Sequence, residues 1–296
     1  MKILLIGAGG QVGQELEQLL AHDRVIELLA CDRTSLDLTQ PQAIADQVAA
    51  FRPQVIVNAA AYTAVDKAEA EPDLAQAINA LAPGALAQAA TQVGASLVHI
   101  STDYVFDGIQ SVPYQEDSPC NPLGVYGDTK RAGEVAVMAA CDRHIILRTA
   151  WVYGAKGKGN FAKTILRLAQ ERDRLRVVYD QIGTPTWAYD IARAIVALLP
   201  QLGPETYGTY HFTNSGVASW YDFAVAIVEE AQVLGLPLTL EEVEPITTAD
   251  YPTPARRPAY SVLSGEKIAG MLGTTPPHWR QSLRQMLSEL YGSMPS

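Results

Sequence analysis

The chain has 296 residues, of which 48% are hydrophobic, so its length accommodates one or two domains with a sizeable core. Its formal net charge is −10 at pH 7, and Lys and Arg form no dense cluster, which argues against a nucleic-acid partner. No apolar run reaches the length of a membrane span, so we expect no membrane partner either.

The cysteines and histidines show no metal or disulfide pattern. The five histidines are scattered, without the spacing of a zinc site. An odd, sparse set of cysteines without CxxC spacing favours free thiols and a reducing compartment. We therefore expect a cytoplasmic enzyme. The three cysteines are Cys31, Cys120 and Cys141.

Short apolar runs alternate with helical stretches through the first half of the chain. The predicted strands are Lys2–Ile6, Val25–Cys31, Gln54–Ala59, Ser96–Ser101 and Ile145–Thr149. The predicted helices are Gln11–Ala21, Pro41–Phe51, Pro72–Val93 and Tyr126–Cys141. This alternation predicts an α/β fold with a Rossmann-type, doubly wound parallel sheet in residues 1–150.

The second half of the chain is less regular. Its predicted elements are helix Asn160–Arg172, strand Arg176–Tyr179, helix Trp187–Leu199, strand Thr209–Phe212, helix Ser219–Leu234 and helix Trp279–Tyr291. Four prolines between Pro245 and Pro258 predict an ordered loop, because proline cannot continue a helix. We expect residues 151–296 to form mainly a smaller C-terminal α/β lobe that binds substrate, with some chain returning to the core.

The glycines after the first predicted strand are typical of a dinucleotide-binding turn. Gly7, Gly10 and Gly13 open the first predicted helix, with Gln11 and Val12 between the second and the third. Such glycines allow a tight turn, close approach of a pyrophosphate, and close packing of helix on strand. The diphosphate is then expected at the helix N-terminus, where free N–H groups attract anions. The alternative is a glycine-rich turn without a ligand.

The end of the second strand bears on the choice of cofactor. Asp32 lies 19 residues after Gly13, where an acid would hold the ribose hydroxyls of NAD. The neighbouring Arg33 is suited to the 2′-phosphate of NADP, so we expect use of both NADH and NADPH. A solvated surface charge is the alternative for Arg33. Asp37 and Leu38 follow in a loop that is expected to flank the adenine.

Small residues end the third strand. Ala59 and Ala61 precede Tyr62 and Thr63, and small side chains let the backbone pass close to a cofactor. The carboxyl edge of a parallel sheet is where such a ligand binds, which favours cofactor contacts for all four residues. Plain packing of helix on sheet is the alternative.

A Tyr and a Lys four residues apart form the candidate acid–base group. Tyr126 and Lys130 share one helical face, so the ammonium is expected near the phenol, where it favours the phenolate. An ordinary phenol has a pKa of about 10 and needs such help at neutral pH. Thr102, at the end of the fourth strand, is suited to hydrogen-bonding a substrate carbonyl, although a strand-end cap is the alternative. With hydride from a nicotinamide that Tyr126 and Lys130 also contact, the set suits carbonyl reduction.

Taken together, these motifs resemble the extended short-chain dehydrogenase/reductases. The glycine turn, the run Ala59–Thr63, the stretch Ser101–Phe106 and the pair Tyr126–Lys130 carry the resemblance. Within that superfamily the chain is more similar to the dTDP-4-dehydrorhamnose reductase family, and the likeness covers nearly its whole length. Further matching segments are Val57–Glu69, Arg148–Gly154, Asn160–Phe161, Asp180–Thr186 and Ala255–Pro258.

The resemblance implies a reaction and a set of residue roles. The reaction is reduction of the 4-keto group of dTDP-4-dehydro-L-rhamnose by NADPH or NADH, the last step of dTDP-L-rhamnose synthesis for cell-surface polysaccharide. Tyr126 matches the family's proton donor, Lys130 its partner, and Thr102 the hydroxyl residue that tunes the site. The positions that match residues lining the sugar are Asp103, Tyr104 and Trp151.

Several of these residues have a second interpretation. Trp151 is suited to stacking on the sugar or to the core. Arg257, next to Arg256, is suited to clamping the diphosphate, but both could be surface charges. Asn160 is expected to cap the following helix or to bind the nucleotide sugar. The family commonly has His where this chain has Tyr62, which leaves the role of that side chain open.

Two other functions are compatible with these motifs. The first is another sugar-nucleotide epimerase, reductase or dehydratase. The 4,6-dehydratases carry an Asp-Glu pair after the Thr, whereas Asp103 and Tyr104 follow Thr102 here. The second is a non-catalytic, NADP-binding regulatory subunit of the methionine adenosyltransferase type. The presence of Thr102, Tyr126 and Lys130 argues against that function.

The sequence does not fix assembly or metal content. The resemblance implies that some relatives are metal-bridged dimers, and Glu15 or Asp190 would be the carboxylates to contribute here. Carboxylates on helices are usually solvated, so Mg²⁺ is possible but not predicted, and a homodimer is possible.

Overall fold

The structure, a computed structural model, describes residues 1–292 of the chain. Its strands are β1 Lys2–Ile6, β2 Glu27–Cys31, β3 Val55–Asn58, β4 Ser96–Thr102, β5 His144–Thr149, β6 Val152–Tyr153, β7 Arg174–Val178, β8 Ile182–Gly183, β9 Thr186–Trp187, β10 Gly208–His211, β11 Ala218–Ser219 and β12 Glu242–Ile246. The five strands predicted in the first half are β1 to β5; β1 has the predicted bounds, and the ends of the others differ from the prediction by at most two residues.

The α-helices alternate with the strands of the first half and dominate the second. They are α1 Gln11–Ala21, α2 Pro41–Phe51, α3 Val65–Ala68, α4 Pro72–Gln76, α5 Ala82–Val93, α6 Val125–Ala140, α7 Phe161–Glu171, α8 Ala188–Leu198, α9 Trp220–Val233, α10 Glu266–Leu272 and α11 Trp279–Tyr291. Of the helices among residues 1–292, none is long and apolar enough to cross a membrane.

Six strands form one parallel sheet in the order β10-β5-β4-β3-β1-β2. In its middle, Leu4 of β1 lies between Leu29 of β2 and Ile56 of β3. The chain leaves β1 for one edge and then returns to build the other, so β1 and β3 flank a switch point. Ligands bind beyond the carboxyl ends of strands at such a point. The Rossmann-type, doubly wound fold is confirmed.

Helices cover both faces of this sheet. On one face, Leu16 and Leu20 of α1 share an apolar cluster with Ile191 and Ile195 of α8. On the other face, α2, α5 and α6 pack over β4 and its neighbours, and their cluster includes the fully buried Leu86. Because α8 and β10 come from beyond residue 150, the second half of the chain contributes to the core.

The helical segment predicted over Pro72–Val93 is interrupted by one wider turn. Residues Ala77–Leu81 form a π-helical turn between α4 and α5, in which the Ala82 N–H donates to the Ala77 carbonyl. Pro83 explains the interruption, because it has no N–H for the carbonyl of Asn79. π-Turns inside helices often occur at functional sites.

A second apolar cluster lies in the C-terminal half. It contains Tyr153, Leu166, Phe223 and Leu287, together with further residues of α7, α9 and α11. Three short ladders join this half: β7 with β12, β8 with β11, and β6 with β9.

The prediction of a loop over Pro245–Pro258 was wrong at its start. Pro245 lies within β12, opposite Val177 of β7. A proline is tolerated there because β12 is the edge of a two-stranded ladder, and an edge strand leaves some N–H groups unpaired. A 3₁₀ turn, Thr248–Asp250, follows the strand. Helix α10 and the two-residue strands were not predicted.

Candidate active site

The glycine turn after β1 is shaped by contacts that exclude side chains. Gly7 has φ +85°, and a Cβ there would lie 2.6 Å from the Ala60 nitrogen. A Cβ on Gly13 would lie 2.0 Å from the Gly7 carbonyl oxygen. Gly10 is the N-cap of α1, and a Cβ there would lie 3.3 Å from the Gly7 carbonyl oxygen. The turn therefore leaves a bare backbone cradle at a helix N-terminus, which fits the pyrophosphate of a dinucleotide.

The two residues that follow Gly10 have different surroundings. Val12 is buried in the apolar cluster under α8. Gln11 meets Asn160, whose Nδ2 donates to Gln11 Oε1 at 2.7 Å and to the Gly154 carbonyl at 2.8 Å. Asn160 Oδ1 accepts from the Lys163 N–H at 3.0 Å and so caps α7. The predicted cap is confirmed, and Asn160 also ties the second half of the chain to the glycine turn.

Asp32 organises the turn that follows β2. Its Oδ1 accepts from the Thr34 N–H at 2.9 Å, the Thr34 hydroxyl at 2.7 Å and the Ser35 N–H at 3.1 Å. These hydrogen bonds, that of the Thr34 hydroxyl first, lower the pKa of Asp32 to about 2. The Arg33 side chain is exposed. Asp32 is therefore ionised, and Arg33 is free to meet an anion.

The loop behind that turn is ordered by its own side chains. Asp37 is exposed, and its Oδ1 accepts from the Thr39 N–H at 2.9 Å and the Thr39 hydroxyl at 2.8 Å. Leu38 is half-buried against the cluster under α2 and α5. The adenine contact of this loop stays a prediction.

The segment after β3 is fixed by hydrogen bonds to the side chain of Asn79. Its Oδ1 accepts from the Tyr62 N–H at 2.8 Å, and its Nδ2 donates to the Tyr62 carbonyl at 3.1 Å. The same Nδ2 lies 3.2 Å from the Thr129 hydroxyl, which donates to the Tyr126 carbonyl at 3.0 Å. Asn79 thus joins the Ala59–Thr63 run to the helix that carries Tyr126 and Lys130. The Tyr62 phenol donates to Glu71.

Asn79→Ala is expected to weaken NADPH binding about ten-fold, because the clamp on the Tyr62 backbone is lost and buried groups are left unpaired. The measurement is titration of NADPH by its fluorescence. Asn121→Ala is the matched control, since the Asn121 amide hydrogen-bonds Asp107 near the surface. Equal affinities in the two variants would contradict a role for the clamp.

Thr102 and Asp103 lie at the carboxyl end of β4. The Thr102 hydroxyl donates to Asp103 Oδ1 at 3.0 Å and accepts from the Tyr104 N–H at 3.2 Å. Asp103 is buried, and its Oδ2 accepts no hydrogen bond from the described residues. Burial raises the pKa of Asp103 to about 6, with the hydroxyls of Ser261 and Thr102 opposing the shift. This edge of the sheet therefore holds a buried polar group with one oxygen still to be satisfied.

Tyr126 lies in the first turn of α6, half-buried beside Tyr104. The two rings meet edge to face, with centroids 5.3 Å apart. Burial raises the pKa of Tyr126 to about 12; the nearby Thr102 hydroxyl lowers it, and the charge of Asp103 raises it further. This differs from the lowered pKa expected from the sequence, because burial outweighs other effects. The phenol is consequently protonated at neutral pH, the state that a proton donor requires.

Lys130 is fully buried one turn further along α6. Its Nζ donates to the Ile100 carbonyl at 2.7 Å. Burial lowers the pKa of Lys130 to about 8, and Glu134 opposes the shift. Glu134 is also buried and pairs with Arg148, whose Nε and Nη2 each donate to one carboxylate oxygen at 2.8 Å. A fixed ion pair thus lies one helical turn beyond Lys130 on α6.

Trp151 and Arg257 approach the site from the second half of the chain. Trp151 lies two residues after the end of β5. The last residue of β5, Thr149, pairs with Thr102 of β4. Arg257 makes a two-pronged pair with Asp66, Nη2 to Oδ2 at 2.9 Å and Nη1 to Oδ1 at 3.2 Å. Its charge also acts on Tyr104. Arg256 is exposed. The diphosphate clamp stays a prediction.

The carboxylates considered for a metal are already engaged. Glu15 Oε2 accepts from Lys156 Nζ at 2.7 Å. Asp190 Oδ2 accepts from Asn214 at 2.8 Å and from Ser282 at 2.6 Å. Within residues 1–292, no cluster of three or more His, Cys, Asp or Glu is arranged to hold a metal ion.

The fold and this site define an extended short-chain dehydrogenase/reductase: a doubly wound sheet, a bare glycine turn, and a Tyr and a Lys on α6. The family model described as RmlD substrate binding domain matches residues 1–291. The chain belongs to that family, and relatives at 44–47% identity are named dTDP-4-dehydrorhamnose reductases.

Relatives and solved structures agree over nearly the full length. The chain is 47% identical to the dTDP-4-dehydrorhamnose reductase of Escherichia coli K12, over 98% of each chain. It is 44% identical to that of Burkholderia thailandensis, over 98% of this chain and 100% of the relative. A crystal structure of the Clostridium acetobutylicum reductase has a TM-score of 0.91 at 41% identity, covering 98% and 99% of the chains. The Bacillus anthracis reductase, solved in complex with NADP, has a TM-score of 0.89 at 36% identity, covering 97% and 99%.

Proposed function

We propose that this protein reduces the 4-keto group of dTDP-4-dehydro-L-rhamnose to dTDP-L-rhamnose, with NADPH or NADH as the hydride donor. The observation that carries the proposal is Tyr126, protonated and close to Thr102, on the same sheet edge as the bare glycine turn. The names of the relatives at 47% and 44% identity support the same reaction.

The backbone of Gly7, Gly10 and Gly13, with the first turn of α1 at Gln11 and Val12, would hold the cofactor's pyrophosphate. Asp32 and Arg33 would meet its adenosine ribose, and the NADP complex of a relative supports the phosphorylated form. Asp37 and Leu38 would flank the adenine, and the run Ala59–Thr63 would contact the cofactor from the end of β3. When bound, a reduced nicotinamide supplies the hydride.

Proton delivery falls to Tyr126. As hydride reaches the carbonyl carbon, the phenol O–H bond breaks and the proton forms a hydroxyl on the former keto oxygen. Thr102 hydrogen-bonds the same oxygen. The positive charge of Lys130 stabilises the Tyr126 phenolate that is left, and Glu134 helps to keep Lys130 charged. For the sugar nucleotide, we propose contacts from Asp103, Tyr104, Trp151, Asn160 and Arg257.

The direct test is NADPH oxidation with dTDP-4-dehydro-L-rhamnose, and NADH in parallel. We expect oxidation that depends on this substrate, with dTDP-L-rhamnose as the product. UDP-glucose with NAD is the comparison for an epimerase, because solved epimerases share the fold. Epimerisation without net nicotinamide oxidation would replace the proposal. Cofactor binding without either reaction would favour a regulatory subunit.

The profile of kcat/KM against pH is expected to fall as the pH rises through about 8. That ratio reports the free enzyme, in which Lys130 loses its charge near this pH while Tyr126 keeps its proton. Lys130→Arg retains a permanent charge, so its slower activity should lack the fall. If kcat/KM of the Arg variant still falls near pH 8, the fall belongs to a group other than Lys130.

We propose that residues 151–296 form mainly the substrate-binding lobe, which the second apolar cluster supports. The last four of these residues lie outside the described residues. Three free thiols support a cytoplasmic protein.

A further inference from the structure

The backbone of Trp151 has an unusual conformation. Its φ is +48°, and Arg52 is the other non-glycine residue of the described chain with a positive φ. Bulky residues rarely adopt this region, and it persists only where the surroundings fix it. The Trp151 carbonyl accepts from the Thr186 N–H at 3.2 Å, which anchors the backbone between β5 and β9.

The two faces of the Trp151 indole are both covered. The Trp220 ring stacks on one face, with centroids 3.5 Å apart and planes 3° from parallel. Gly183 lies on the other, where a Cβ would be 2.5 to 2.8 Å from three indole atoms. Gly183 cannot lie on the same face of the indole as Trp220, because the stacked ring fills that space. The indole is therefore sandwiched.

The sandwich is built from fixed elements. Gly183 of β8 lies opposite Ala218 of β11, two residues before Trp220. Ser219 caps α9 in a reciprocal pair with Asp222, which fixes the first residue of that helix. Phe161 packs behind Trp220, with ring centroids 4.6 Å apart. These contacts leave Trp220 little freedom to move away from Trp151.

The edge of the indole is the part left to contact a ligand. The Trp151 side chain is half-buried, and its N–H donates to no acceptor in residues 1–292. It is also absent from the buried, unpaired polar atoms of that region, which include the indole nitrogens of Trp187 and Trp279. The N–H is thus accessible, two residues beyond the β5 residue that lies opposite Thr102.

We propose that Trp220 is a substrate-positioning residue, which with Gly183 holds Trp151 so that the indole edge and its N–H, not its face, contact the sugar nucleotide. The inference rests on the proposed function, since the sugar is the ligand that Trp151 would meet. It replaces the face-on stacking expected from the sequence. It also gives Gly183 a role, because any side chain there would displace the indole.

The test is the affinity of the NADP-loaded protein for dTDP-L-rhamnose by calorimetry. Trp220→Ala is expected to weaken binding about ten-fold, and Trp220→Phe should restore most of it, because a ring can still stack. KM should rise more than kcat falls. Val217→Ala, at an exposed position in the same segment, is the matched control and should bind normally.

A double variant separates positioning from general structure. In a Trp151→Ala background, Trp220→Ala should cause no further loss, because Trp220 acts through Trp151. Additive losses, or normal binding by Trp220→Ala, would overturn the inference. Wild-type protein that binds NADP but not dTDP-L-rhamnose would instead overturn the proposed function.

Discussion

Tyr126→Phe is expected to lower kcat by about 10²- to 10⁴-fold without changing the affinity for NADPH. The ring, its burial and its contact with Tyr104 are kept, and only the hydroxyl that we propose as the proton donor is removed. Steady-state nicotinamide oxidation gives kcat, and fluorescence titration gives the affinity for NADPH. Tyr179→Phe, at an exposed position, is the control for loss of a phenol elsewhere.

Near-normal turnover in Tyr126→Phe would assign proton delivery to another group. Asp103 would then be the first to test, because its pKa of about 6 provides a protonated fraction at mildly acidic pH. Loss of NADPH binding together with turnover would indicate that the phenol mainly supports the cofactor.

Glu134→Ala is expected to lower the free energy of unfolding by about 3–5 kcal/mol. The variant leaves the Arg148 guanidinium buried without its two-pronged partner, and domains of this kind have a net stability of only about 5–15 kcal/mol. Urea denaturation followed by circular dichroism measures the loss. Arg131→Ala is the matched control, because Arg131 contacts the same carboxylate from a side chain that is 32% exposed.

The control should lose no more than about 1 kcal/mol, as expected of a partly solvated pair. Replacing both buried partners, in Glu134→Leu with Arg148→Met, should recover much of the stability, since no charge is left unpaired. A Glu134→Ala loss no larger than that of Arg131→Ala would show that water or rearrangement satisfies Arg148.

The central sheet was predictable because its strands are short apolar runs separated by amphipathic helices, a pattern that follows directly from burial on both faces. Two-residue strands such as β8 are too short for any periodicity. Pro245 was misassigned, since a proline opposes a strand unless it lies at an edge, and edges depend on tertiary pairing.

The residues of the site likewise include some that the sequence pattern predicted and some that it did not. Spacing along the chain was enough to identify the glycine turn and the pair Tyr126–Lys130. Asn79, Trp220 and the Glu134–Arg148 pair were missed, because their partners are distant in sequence and no local pattern marks them. The one available indication was the Asn79–Pro83 spacing, which places a proline where the helix needs an N–H. The pKa of Tyr126 was misjudged because burial, which dominates it, cannot be deduced from a neighbouring lysine.

The packing of α8 against α1 has a consequence for synthesis on the ribosome. The face of α1 that bears Leu16 and Leu20 packs in a cluster that contains strand residues of the first half and also Ile191 and Ile195, which are made much later. A chain of which only residues 1–150 have left the ribosome therefore leaves part of this cluster uncovered, and the edge of β5 has no β10 to pair with. Complete folding of the first half is expected to require residues beyond 150, and a fragment that stops at residue 150 is expected to aggregate.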